Sequence, residues 1–109
     1  MTRDPDKIAH ELSERGAAWA DAEAAAQALE ETRKSVLAQI TVENRPECKS
    51  HTEAETQALA DARYRDHVAQ MVNARKAANK ARVRFDTTKV WIELLRSQEA
   101  TRRAEASIR

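Results

Sequence analysis

Glycine is almost missing from this sequence. Gly16 is the only one in 109 residues, and Pro5 and Pro46 are the only prolines. Tight turns draw on these residue types, so β-hairpins and multistranded sheets are not expected. A single glycine also excludes a glycine-rich phosphate loop. Cysteine is single as well, so Cys48 has no partner for an internal disulfide, which fits a reducing compartment. The aromatics are Trp19, Tyr64, Phe85 and Trp91, too few for a thick globular core. No apolar run approaches the roughly 20 residues that a membrane-spanning helix needs. The stretch MTRDPDKIAHEL has no apolar signal core. A soluble cytoplasmic protein with no membrane partner is expected.

What is abundant is helix-forming material. Alanine occurs 22 times and charged residues make up 34% of the chain, a composition typical of long helices and coiled coils. One all-α domain over 1–109 is expected, thin and held by helix-on-helix packing. The net charge of +1 conceals a division. Residues 1–61 carry 7 Lys/Arg against 13 Asp/Glu, a net of −6, and residues 62–109 carry 12 against 5, a net of +7. Asymmetry of this kind points to an interaction surface or to pairing within the chain.

Asp4-Pro5 reads as an N-cap followed by proline at the first helical position, where its missing N–H costs no bond. From there Ile8, Leu12, Trp19, Ala22, Ala26, Leu29, Val36, Leu37 and Ile40 recur at helical steps on one face. The first helix is expected over about 5–41. TVENRPECKS interrupts the pattern, because Pro46 disfavours helical backbone at Arg45, so a loop is expected over 42–51. That loop would leave Cys48 open to thiol reagents. Ser50/Glu53 and Thr52/Glu55 both fit a capping box, and a second helix follows over about 52–106, with a kink near 61 where Asp61 can cap a restart.

In this second helix Tyr64, Met71, Ala78, Phe85 and Ile92 stand seven residues apart, and His67, Ala74, Ala81, Thr88 and Leu95 run beside them. These are the two rows of a coiled-coil seam. Val68, Val72, Trp91 and Leu94 widen the face. A long two-helix antiparallel hairpin results, with helices of roughly 55 and 80 Å. With the turn at 42–51, the first helix covers the second only to about residue 88. Trp91, Ile92, Leu94 and Leu95 would stay wet, so this end is expected to form the interface of a homo-oligomer.

The second helix also carries a line of cations. Arg75, Arg82, Lys89, Arg96 and Arg103 repeat every seven residues, and Lys76, Lys80 and Arg84 add a cluster within NARKAANKARVRF. A rigid row of Lys and Arg suits a phosphate backbone, bound without regard to sequence, and Trp91 offers a stacking surface for a base. The competing reading pairs the cations near 75–84 with Glu11, Glu14, Asp21, Glu23, Glu30 and Glu31 of the first helix. Lys89, Arg96, Arg102 and Arg103 would then lie beyond reach. No catalytic residue, metal site or cofactor is assigned. Cys48 and His51 make only half of a metal site, whereas tetrahedral sites need four ligands, or three and water. Paired acids such as Glu30 and Glu31 read as an exposed helix face, so no enzymatic activity is expected.

The segments KAANKARVRF and WIELLRSQEATRR, within about 40 of the 109 residues, resemble small helical proteins of tailed bacteriophages. They are weakly similar to the T-even phage recombination mediator, an oligomeric helical protein that binds single-stranded DNA and helps load a recombinase. The resemblance implies an accessory role in recombination or replication inside a bacterial host, with DNA contact at Lys76, Lys80, Arg82, Arg84 and Phe85. Its implied partners are single-stranded DNA and a recombinase. The other readings are a module that docks on a host or defence protein, and a structural coiled-coil scaffold.

Overall fold

The computed structural model describes residues 4–108. They form three helices: α1 (Pro5–Asn44), α2 (His51–Leu59) and α3 (Ala62–Ile108), with a 3₁₀ turn at Arg45–Glu47. No strand occurs among the described residues. The molecule is a rod of 87 × 19 × 15 Å.

Local chemistry sets each helix start. The Asp4 carboxylate accepts the Asp6 N–H at 2.9 Å, with Pro5 behind it at the first position. At α2 the Ser50 hydroxyl accepts the Glu53 N–H at 3.1 Å, while Glu53 accepts from the Lys49 N–H at 3.0 Å. The Ser50 box is therefore the one used. Asp61 accepts the Arg63 N–H at 2.8 Å and opens α3. The kink expected near 61 is a full break, so the expected helix over about 52–106 is two helices separated at Ala60–Asp61.

The expected loop at 42–51 is corrected. Thr41 is buried and its hydroxyl bonds back to the Leu37 carbonyl at 2.7 Å, and α1 continues through Val42 to Asn44. Arg45 keeps helical backbone although it precedes a proline, because Pro46 falls in the first turn of the 3₁₀ segment. There its missing N–H is not needed. Cys48 is not an open loop thiol: it is buried, with its Sγ donating to Gln57 Oε1 at 3.5 Å. Burial, reinforced by the Glu53 charge, pushes the thiol pKa up.

These shifts move the centre of the turn towards the C-terminus and change how α1 and α3 align. They run in opposite directions, and Arg33 reaches Tyr64, Arg15 reaches Thr88 and Gly16 lies against Phe85. The first turns of α1 then arrive at residues 92–103 of α3, where Pro5, Ile8 and Leu12 face Ile92, Leu95 and Ala100 across an open groove of about 500 Å³. The end expected to be uncovered is therefore covered on one side only. Ile92 and Leu95 are half-buried, whereas Trp91 and Leu94 remain exposed on a different side.

Both expected rows of α3 point inward: each residue from Tyr64 to Leu95 in them is buried or half-buried. The seam is narrow. Its fully covered members are Ala26, Ala78 and Thr88, and the larger core cluster of Ile40, Ala58 and Tyr64 sits at the α2 end. Phe85 is a bulky exception. Its ring stacks at 5.6 Å from Trp19, and a Cβ on Gly16 would approach it to 3.2 Å. The glycine, costly in a helix by about 1 kcal/mol relative to alanine, makes room for that ring.

Candidate nucleic-acid interface

The candidate cations lie on a helix whose inward rows are known, so their positions follow from helical geometry. Arg75, Arg82, Lys89 and Arg96 each come one residue after a member of the Ala74, Ala81, Thr88, Leu95 row. They line one flank of the seam, and Arg103 extends the line. On α1 the matching flank runs one residue after Ile8, Arg15, Ala22 and Leu29, through Ala9, Gly16, Glu23 and Glu30.

The two flanks meet at Arg75. Its guanidinium binds Glu30 through Nε at 2.7 Å and Nη2 at 3.0 Å, and reaches Glu23 through Nη1 at 2.6 Å. The hydrogen bonds from Arg75 hold the Glu30 carboxyl below its usual range, and the two carboxylates raise the Arg75 pKa in turn. The pairing within the chain is thus realised at Arg75, which is withdrawn from the candidate interface. Beyond it the α1 flank has no acid to offer, only Gly16 and Ala9.

Arg82, Lys89, Arg96 and Arg103 are exposed, and none forms an ion pair among the described residues. Lys89 carries its ammonium 5.2 Å over the Phe85 ring, a cation–π contact that leaves the charge in solvent. Arg96 and Arg103 border the groove at the α1 N-terminus. At 1.5 Å per residue the four span about 32 Å. Asp86 and Glu93 stand three and four residues from Arg82, Lys89 and Arg96, along the outer edge of the line, and form no ion pair with them among the described residues.

Lys76, Lys80 and Arg84 are exposed too, but on other sides of α3. Arg84 precedes Phe85 and so lies on the opposite flank of the seam, with Trp91 one heptad further and Lys80 beside it. The eight candidate cations are therefore one paired arginine, one flank line of four and a separate group of three. The four candidate interface residues divide in the same way, Ile92 and Leu95 into the groove, Trp91 and Leu94 outward.

Two inward arginines escaped the sequence pattern. Arg15 and Arg33 stand within the inward face of α1; Arg15 Nη1 donates to Thr88 Oγ1 at 2.9 Å and Arg33 Nη1 to the Tyr64 hydroxyl at 3.1 Å. The signal was present, since both occupy helical steps between apolar members of the stripe. Cys48 and His51 do not converge: His51 faces Glu55 at 3.4 Å while Cys48 faces Gln57. No group of three or more potential metal ligands forms among the described residues. No described helix is long and apolar enough to cross a membrane. Comparison with protein-family models, curated proteins and solved structures finds no match, so the functional reading rests on this geometry.

Proposed function

We propose that the chain is an accessory nucleic-acid-binding protein that holds single-stranded DNA along the α3 flank formed by Arg82, Lys89, Arg96 and Arg103. The recombination or replication setting is the one implied by its resemblance to the phage mediator. One observation carries the reading: the α1 flank supplies acids to Arg75 and then only Gly16 and Ala9, leaving four cations in line without an ion pair among the described residues. Such cations bind phosphates by releasing counterions. A single strand fits the straight line better than a duplex does. Laid along a duplex, the line would meet a given strand about once per turn of roughly 34 Å, whereas a flexible strand follows it throughout.

The test is a titration of a labelled oligothymidine, read by anisotropy, over a range of salt. Four phosphate contacts give a log–log slope of about −2.8. Arg82, Lys89, Arg96 and Arg103 changed together to Gln remove binding and leave the helical circular dichroism intact. Absence of binding by the wild-type chain at low salt, or undiminished binding by the variant, refutes the reading.

A further inference from the structure

The opposite flank of the rod carries a second surface with a different character. On α3, Val83, Val90, Trp91 and Leu94 are 59, 55, 38 and 52% exposed. At helical spacing they form a continuous outer stripe, with Lys76, Lys80 and Arg84 among them. Between Asp66 and Glu105 no acid falls among these residues: Asp86 and Glu93 border the Val83–Val90 edge of the stripe, on the side towards the Arg82 line, and Glu99 follows the Tyr64 row. On α1 the same side of the rod is built from small and acidic residues. Ala17, Ala18, Ala24 and Ala25 are exposed there, with Glu14 and Asp21 between them; Lys7, one heptad before Glu14, is the cation of this row.

We propose that this face is the docking site for a second copy of the chain, with the α3 stripe of each copy packed on the alanine-rich α1 surface of the other. Two arguments select this occupant. Charge is complementary only in this arrangement. A stripe-to-stripe contact would set Lys80 and Arg84 against their own kind, whereas the α1 surface offers Asp21 and Glu14. Shape agrees near Arg84, where the other copy presents Ala17 and Ala18, small residues that let helices approach closely, while Trp91 and Leu94 come level with the first turns of its α1.

The geometry closes on itself. A two-fold axis along the rod places α3 of one copy over α1 of the other at the same height and in the opposite direction. Within one chain Phe85 lies level with Gly16 and Trp19, so Arg84 of one copy comes level with Ala18 and Asp21 of the other. All neighbours are then antiparallel, as in a four-helix bundle. The contact is isologous, so it stops at two copies. The seam within one chain buries mostly alanine, and the second layer supplies the apolar burial that a lone pair lacks. This proposal leaves the Arg82–Arg103 flank outside the contact and stands independently of the DNA reading.

Sedimentation equilibrium of the full chain tests it. The wild type gives twice the 12.3 kDa chain mass at micromolar concentration. Leu94→Glu raises the dissociation constant at least about tenfold by burying an unpaired charge, with helical circular dichroism unchanged. Arg84→Glu and Asp21→Arg each weaken the dimer, and the double reversal restores it. A chain that stays monomeric overturns the proposal, as does a dimer indifferent to Leu94→Glu. A dimer strengthened by Arg84→Glu alone would mean that α3 stripes meet each other, and overturns it too.

Discussion

At the scale of single residues, Arg75 decides how the opening half of the basic line is read. Its guanidinium bridges Glu23 and Glu30, which sit one heptad apart on α1 and would otherwise repel each other. Arg75→Gln therefore lowers the melting temperature at neutral pH. The pH dependence has a definite sign. The folded-state pKa of Glu30 lies below its ordinary value of 4.5. The stability it contributes is complete above that unfolded-state value and is lost as pH falls through the lower folded-state one. Melting curves of wild type and Arg75→Gln should differ at pH 7 and converge in acid. Salt should narrow the gap at pH 7, because the pair is partly open to solvent. A difference that persists undiminished in acid would assign the effect to lost packing of the arginine stem.

At the scale of elements, capping and periodicity were legible and the turn was not. Asp4-Pro5, Ser50 and Asp61 announce the starts of α1, α2 and α3 through side chains that accept specific N–H groups. The seven-residue rows of α3 read directly as its inward face. The end of α1 was misread because Val42 and Pro46 look like breakers, while the buried Thr41 and the 3₁₀ turn carry the helical path three residues further. A small change in the turn shifts the whole alignment of two long helices, which is why the covered length of α3 was underestimated. The division of the cations could not be read either, since it depends on which α1 residues stand opposite. This junction makes its own prediction. Cys48 is covered by α2 through Gln57, so thiol labelling requires α2 to open. Removing the cap with Ser50→Ala costs about 1 kcal/mol, equivalent to roughly fivefold more of the open form. Labelling of Cys48 under native conditions should accelerate by about that factor, without loss of α1 or α3 helicity. Rapid labelling of the wild type, at the rate of a free thiol, would show that α2 does not protect the site.

At the scale of the whole molecule, the two flanks of the rod divide the work, and this separates two kinds of affinity. The axis proposed along the rod leaves one basic line on each outer side of the dimer, separated by roughly 20 Å, two helix layers at 8–10 Å spacing with their side chains. A short oligonucleotide that fills one line has no length left over to occupy the other. It should bind with the same affinity per chain to the wild type and to the Leu94→Glu monomer, at one strand per chain. A strand several times longer can pass round the edge of the dimer and occupy both lines, so that its second contact becomes intramolecular. Its apparent affinity for the wild type should exceed that of the short strand by about tenfold or more, within the range that linkage of two sites allows. The monomeric variant should show no such gain. Anisotropy titrations with both lengths against both proteins give four constants that decide the matter. If the long strand gains equally on monomer and dimer, extra phosphates along one rod account for it, and the two-sided arrangement is wrong. If the Leu94→Glu chain loses affinity for the short strand as well, the apolar face and the basic flank act as one surface, contrary to the separation that the α1–α3 alignment implies.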